Sequence, residues 1–334
     1  MESRERAYLL DNLNVLLEGH TDKNLLILKH NGSLKVTQDD VEDMELQQRG
    51  FKVVYHQFYQ DTLRTAYEPY LALISEYIEK QQKKDKNFLE GFLDRNQVYS
   101  LHRDIFRAYF GGRVPTRNED LLIGEYAFER KRICDAVVSM LLEIAQEQPM
   151  VFLLNDANYA GISMWRVAKC LKKLGISSQI KIFIMYNELA TGLESARKYQ
   201  HKFIKECEDE ELVFEWLLET QNRKILPDTM FKYQIKEISV YLETMFDLSY
   251  FLEYETVNEY LRSFVTEHRL GHPQIPMEQK EHILKCFFWS SLGVKAYADA
   301  LLVCNLLNQL PVEENHRLAR AYDVAYFKAL VLSL

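Results

Sequence analysis

Residues 25–37 read LLILKHNGSLKVT, and this stretch decides which fold the sequence predicts. It opens with a short apolar run of the length of a buried strand. Residues 31–33, Asn-Gly-Ser, then favour a turn, and residues 37–48 are polar and compatible with a helix. A strand that leads through a loop into a helix presents backbone N–H groups to an anion. The stretch therefore predicts a loop of the phosphate-binding type.

The loop departs from the usual phosphate-binding pattern G-x-x-x-x-G-K-[ST]. When the lysine of the pattern is placed on Lys35, its glycines fall on Lys29 and Leu34, and its Mg²⁺-binding hydroxyl falls on Val36. Leu34 has a Cβ where the pattern needs free backbone geometry, and Val36 has no metal-binding atom in its side chain. Thr37 comes one residue too late. Only the lysine is in place, so the loop by itself does not establish a nucleotide site.

Three further apolar segments follow this first strand, each separated from the next by a segment of helical pattern. Strands that alternate with helices at this spacing are typical of a parallel α/β sheet with helices on both faces. We therefore expect four parallel strands of one sheet, at residues 24–29, 51–57, 150–155 and 180–186.

Several short motifs, in this order along the chain, resemble the STAND class of signal-transduction P-loop ATPases. Residues 3–7, Ser-Arg-Glu-Arg-Ala, resemble the box with which those proteins open. Residues 50–55 resemble their second strand, and residues 67–71, Tyr-Glu-Pro-Tyr-Leu, resemble the helix that follows it. Residues 155–160, Asn-Asp-Ala-Asn-Tyr-Ala, resemble the end of their Walker B strand, which has two acids. Residues 186–187, Tyr-Asn, stand where a Tyr-Arg pair is usual.

The resemblance covers residues 3–190 and implies a parallel P-loop-NTPase-like sheet with a degenerate nucleotide site. In such a site Mg²⁺ is held by the loop hydroxyl and a Walker B acid. Here the hydroxyl is missing, the first acid is Asn155 and the later arginine is Asn187. These losses together imply that hydrolysis is no longer needed. The residues that would still hold ATP or ADP weakly are Asn31, Gly32, Ser33, Lys35, Thr37 and Asp156, with no catalytic residue and no metal ligand among them.

Beyond residue 190 the sequence predicts helices only, first an all-α helical arm and then repeat-like helical pairs. Trp289, Leu292 and Gly293 match part of the first-helix pattern of a tetratricopeptide repeat, in which a small residue allows close helix packing. We expect three domains, at residues 1–190, 191–272 and 273–334. We expect the last one to continue in a longer protein, because the apolar helical pattern has not ended at residue 334. We also expect no strand within 193–334.

Composition limits the classes of partner. Lys and Arg number 41 against 49 Asp and Glu, a net charge of −8, which argues against direct nucleic-acid binding by this segment. No apolar run approaches the roughly 18 residues of a membrane-spanning helix. The five cysteines are scattered without a Cys-x-x-Cys pair, which favours reduced thiols in a cytoplasmic protein and excludes zinc motifs.

These observations lead to one main interpretation and two alternatives. The main one is a pseudo-ATPase regulatory module, a switch or scaffold that couples sensing of a ligand or partner to an output domain, such as one acting in transcription. It would bind protein partners through its helical repeats and could form homo-oligomers. The first alternative is an active ATPase with a rearranged loop that uses Lys35, Thr37 and Asp156. The second is a scaffold that binds proteins but no nucleotide.

Overall fold

The structure is a computed structural model. The residues it describes are 3–17, 23–32, 34, 36–42, 46–59, 65–111, 126–175, 179–190, 192, 194–216, 245–246, 248–266, 269–271, 275–311 and 317–333. Two of the candidate binding residues, Ser33 and Lys35, lie outside these ranges. The chain forms two compact units, the first from Met1–Val114 with Lys131–Tyr233 and the second from Pro115–Arg130 with Gln234–Leu334. Compact units need not coincide with domains, and the division at residues 190 and 272 stays a prediction.

The first unit is built on a five-stranded parallel sheet with the strand order β2-β3-β4-β1-β5. Nearly every residue of β1, β3 and β4 is buried, so both faces of these strands are covered, as parallel sheets require. The edge strand β2 is half-buried throughout. The four predicted parallel strands are thus confirmed. The strands are β1 Leu25–His30, β2 Lys52–Gln57, β3 Met150–Asn155, β4 Ile180–Asn187 and β5 Val213–Trp216.

Strand β5 shows that the prediction of no strand within 193–334 was wrong. Val213–Trp216 pairs in parallel with β1, and the N–H of Ile27 donates to the carbonyl of Leu212 at 2.9 Å. The sequence around β5 fits a helical pattern, but the preceding helix stops at Glu208, and Glu211 adopts a left-handed conformation with φ of +55°. The open edge of β1 then supplies hydrogen bonds that no local pattern reveals, and this tertiary pairing overrides local preference.

The described helices of the first unit fill the segments of helical pattern between the strands. Among the described residues of the predicted helix at 37–48, Gln38–Glu42 are helical, and residues 46–50 form a turn that ends at Gly50 with φ of +86°. Two helices lie within residues 88–111, and they are separated near Gln97, which has φ of +51°. The helices are α1 Ser3–Leu17, α2 Gln38–Glu42, α3 Tyr70–Gln82, α4 Phe88–Arg95, α5 Ser100–Gly111, α6 Tyr126–Glu147, α7 Ile162–Leu174 and α8 Glu194–Glu208, and residues 126–130 of α6 belong to the second unit.

In the second unit, consecutive helices pack on one another. Trp289 and Leu292 are both buried, and the indole of Trp289 lies 5.5 Å from the ring of Phe327. The next helix begins at Tyr297. Within the part of the chain that the structure describes, no helix is both long and apolar enough to cross a lipid bilayer. The helices are α9 Tyr254–Thr266, α10 Met277–Gly293, α11 Tyr297–Gln309 and α12 Arg317–Ser333.

Gly293 lies where two helices approach closely, as predicted, and its neighbour is α9. A Cβ built on Gly293 would stand 2.1 Å from Cδ2 of Tyr254. We expect Gly293→Ala to lower the free energy of unfolding by roughly 1–3 kcal/mol through overpacking. Urea titration measures this loss, and Gly271→Ala is the matched control because no atom lies within 4 Å of its built Cβ. Equal effects of the two substitutions would contradict a close approach at Gly293.

Candidate functional site

The topology of the sheet marks one place as the expected ligand site. Strands β1 and β4 are neighbours, but the chain leaving β1 goes to one edge strand, β2, and the chain leaving β4 goes to the other, β5. Ligands of open α/β sheets bind in the crevice that such a reversal creates at the carboxyl ends of the strands. His30 and Asn187 end these two strands in register, and Asp156 follows the neighbouring β3. The structure thus brings Asn31, Gly32 and Asp156 to the carboxyl ends of β1 and β3, the two strands that flank β4.

The loop after β1 is closed down onto the ends of β2 and β3. Leu34 and Val36 are each only 4% exposed, so their side chains belong to the core. The carbonyl oxygen of Val36 accepts hydrogen bonds from the hydroxyl of Tyr55 at 2.7 Å and from Nδ2 of Asn155 at 3.2 Å. The two departures from the phosphate-binding pattern at Leu34 and Val36 are therefore apolar anchors of the loop.

Thr37 is engaged as the cap of α2. Its Oγ1 donates to Oδ2 of Asp40 at 2.6 Å, and its backbone N–H donates to the same oxygen at 2.9 Å. A threonine followed three residues later by an acid forms a reciprocal cap of this kind. Asp39 and Asp40 both lie in the first turn of this five-residue helix, so the charge at its start is negative. The hydroxyl of Thr37 therefore makes its hydrogen bond within the start of α2, and this helix start does not favour the binding of an anion.

Asn155 holds the site together through its amide. Its Nδ2 donates to Oε1 of Gln57 at 2.6 Å as well as to Val36, and its Oδ1 accepts the N–H of Asp156 at 3.1 Å. Gln57 in turn donates from Nε2 to Oδ2 of Asp156 at 2.9 Å. A carboxylate accepts hydrogen bonds only, whereas this position requires a donor and an acceptor. Asn155 is therefore needed as an amide at this position.

His30 is a member of the site that the sequence analysis did not identify. It is 1% exposed, and its Nδ1 accepts the N–H of Gly32 at 3.2 Å, which assigns the ring proton to Nε2. Nε2 lies 3.9 Å from Oδ1 of Asp156. Burial lowers the pKa of His30, although the carboxylate of Asp156 acts in the other direction. The imidazole is therefore neutral. The sequence feature that could have identified His30 as a site residue is its position at the end of a buried strand.

Amide side chains complete the site. Gly32 has φ of +76°, and a Cβ built on it would lie 3.4 Å from Nδ2 of Asn187. The backbone N–H of Asn187 donates to Oδ1 of Asn158 at 3.4 Å. Asn158 is 1% exposed, and its Nδ2 has no hydrogen-bond partner among the described residues. Asn187 thus packs over the loop glycine.

The nearest described lysine does not serve the site. Lys29 is paired with Glu208, with Glu188 at 3.4 Å and with Glu215 at 3.9 Å. The hydrogen-bonded cluster therefore contains one carboxylate, a neutral imidazole and amides. Across the described ranges, no group of three His, Cys, Asp or Glu side chains is arranged to hold a metal ion.

A separate cavity lies along the edge strand β2. It has a volume of about 320 Å³ and is lined by Val53, Tyr55, Pro69 and Leu73 among others. Its charged lining is already paired in part, since Nζ of Lys52 lies 3.2 Å from Oε1 of Glu76. It does not include the polar residues that follow β1, β3 and β4, so the switch point remains the candidate site.

Comparison of the chain with protein-family models, with curated protein sequences and with solved structures gave no match. Function therefore has to be inferred from the geometry of the chain itself. The switch-point cluster can accept and donate hydrogen bonds through amides and one carboxylate. Among its described residues it offers neither a cation for phosphate charge nor a second acid for metal binding.

Proposed function

We propose that the first unit is a regulatory domain related to the STAND class of P-loop ATPases that does not hydrolyse ATP. The observation that carries this proposal is the double hydrogen bond from Tyr55 and Asn155 to the carbonyl of Val36. It holds the loop at the topological switch point of a parallel sheet in a conformation closed onto the strand ends. An open sheet with its loop fixed in this way supports a domain that retains the architecture of a nucleotide switch without its chemistry.

The described residues fit Mg²⁺ with a nucleotide poorly. A metal ion in such a site requires a loop hydroxyl and an acid. The hydroxyl of Thr37 is engaged with Asp40, and the one carboxylate at the switch point, Asp156, accepts a hydrogen bond from Gln57. Any binding of ATP or ADP would therefore be weak and independent of Mg²⁺. These contacts also weigh against an active ATPase that uses Thr37 and Asp156.

The second unit supplies the proposed partner surface. Leu318, Tyr322 and Leu332 of α12 are 86%, 72% and 79% exposed, and their spacing places them along one side of the helix. Exposed apolar side chains on one face are typical of protein-interaction sites. We propose that protein partners, including further copies of this chain, bind the helical pairs, and that their binding is coupled to an output such as transcription. A cytoplasmic location belongs to the same proposal, supported by five free thiols.

The decisive test is phosphate release by the purified full chain with ATP and Mg²⁺. We expect release at the rate of a protein-free blank, because the Mg²⁺ ligands are missing from the loop. Lys35→Ala is the matched variant and should leave the result unchanged. Turnover that is clearly above the blank and is abolished by Lys35→Ala would overturn the proposal and favour the rearranged-loop ATPase.

A thermal-shift titration separates a nucleotide-binding domain from a pure scaffold. A ligand that binds only the folded state raises the melting temperature, and the rise grows with the logarithm of the ligand concentration relative to Kd. We expect ATP and ADP to give at most a small shift at millimolar concentration, equal with and without Mg²⁺. A complete absence of shift favours the scaffold, whereas a large Mg²⁺-dependent shift that is lost in Lys35→Ala contradicts the closed loop.

A further inference from the structure

Two cysteines on different helices are in contact in the first unit. Sγ of Cys134 on α6 and Sγ of Cys170 on α7 are 4.0 Å apart. Cys134 is 3% exposed, whereas Cys170 is only partly buried and can be reached by a small solute. The other three cysteines, Cys207, Cys286 and Cys304, are all buried. The pair is thus distinguished from the remaining thiols by proximity and by access.

The charges around the pair favour a thiolate on Cys170. The thiol of Cys134 donates to its sulfur and lowers the pKa of Cys170 to about 7, and Lys173 and Lys131 act in the same direction. Burial and Asp135 oppose this effect. The same hydrogen bond and burial raise the pKa of Cys134.

Two groups on the remaining sides complete the electrostatic setting. Arg166, on α7, acts on Cys134 and lowers its pKa. Tyr199, on α8, has its pKa raised to about 12 by burial and stays neutral beside the pair. The thiol of Cys170 is therefore the nucleophile, and the thiol of Cys134 is its hydrogen-bond donor.

We propose that Cys170 is a peroxide-reactive modification site and that Cys134 is its resolving cysteine. The Cys170 thiolate attacks one oxygen of hydrogen peroxide, an S–O bond forms, the O–O bond breaks, and the hydroxide that leaves takes up a proton to form water. The sulfur of Cys134 then attacks the sulfenic acid, an S–S bond forms, the S–O bond breaks, and a second water leaves with the thiol proton. Two thiols and one peroxide give one disulfide and two waters.

The disulfide would join the two helices on either side of β3 in the chain. Helix α6 leads directly into β3, and α7 begins just after the turn that carries Asp156 and Asn158. The bridge would close a loop containing β3 and this turn, and such a loop constrains the unfolded chain. We therefore expect oxidation to raise the melting temperature of the full chain and to restrict the carboxyl end of β3. This inference does not depend on the proposed pseudo-ATPase role.

The test treats the reduced full chain with a small molar excess of hydrogen peroxide, quenches it, and alkylates it in denaturant. We expect the number of alkylated thiols to fall from five to three and a peptide mapping of Cys134 linked to Cys170. The reaction rate should rise with pH through about 7, following the thiolate fraction of Cys170.

Variants separate the two roles. Cys170→Ser should abolish thiol loss, and Cys134→Ser should stop at a sulfenic acid on Cys170 that dimedone traps. Cys207→Ser and Cys304→Ser are matched controls that should oxidise as the parent does, because burial raises the pKa of both thiols. Five remaining thiols, or a bridge that involves any other cysteine, would overturn the proposal. If a variant fails to fold, dimedone trapping on the unmutated chain shows which cysteine forms the sulfenic acid.

Discussion

Replacing Asn155 with aspartate is expected to lower the free energy of unfolding by roughly 3–5 kcal/mol at pH 7, the cost of an uncompensated buried charge. Asn155 is 3% exposed, and its Nδ2 donates to the carbonyl of Val36 and to Oε1 of Gln57. A carboxylate at this place would direct its own oxygens at both acceptors. Urea titration at pH 7 measures the loss, and it tests whether the amide fixes the loop in its closed conformation.

The size of the Asn155→Asp effect should depend on pH in a defined direction. Burial raises the pKa of the introduced carboxyl in the folded state, so the folded state takes up its proton at higher pH than the unfolded state. The difference from the parent protein should therefore shrink as the pH falls. Asn187→Asp adds the same charge at the same edge of the sheet, where Oδ1 already accepts the N–H of Leu189 at 3.2 Å. Equal losses in both variants would refute the role assigned to Asn155.

Acid should destabilise the first unit through His102. This residue on α5 is 1% exposed, and burial, with a smaller contribution from Arg132, lowers its pKa from 6.5 to about 4. Above pH 6.5 the imidazole is neutral in both the folded and the unfolded state. Below it the unfolded state binds a proton and the folded state does not. Stability from this group should therefore be lost between pH 6.5 and about 4, by roughly 3 kcal/mol in total.

Comparison of the parent with His102→Gln isolates this contribution from the carboxylates that titrate in the same range. Urea titrations at several pH values should give a shallower loss of stability in His102→Gln than in the parent. The same substitution at the exposed His201 is the control, because its imidazole is hydrated in both states. Parallel pH curves for the parent and His102→Gln would show that the buried imidazole takes up its proton without cost to the fold.

Local pattern predicted the four long strands because each is a compact apolar run between helical segments. Strand β5 was missed because residues 213–216 also continue a helical pattern, and only the free edge of β1 makes them a strand. In the site, the sequence identified Gly32 and Asp156 from their places after strands β1 and β3. It assigned Thr37 to ligand binding, whereas the nearby Asp40 engages its hydroxyl. His30 belongs to no sequence motif, and its place at the end of a strand was its one sequence feature.

The sequence by itself determined the α/β class, the parallel strands and the mismatch of residues 29–36 with the phosphate-binding pattern, because these follow from apolar periodicity and residue identity. Only the tertiary structure decided what the replacements do. Asn155 and Tyr55 are 100 residues apart in the chain, yet they meet at the carbonyl of Val36 because β2 and β3 are neighbours in the sheet. Cys134 and Cys170 meet because α6 and α7 place them side by side. Hydrogen bonds and thiol contacts depend on distances of a few ångströms, which the spacing of residues along the chain does not encode.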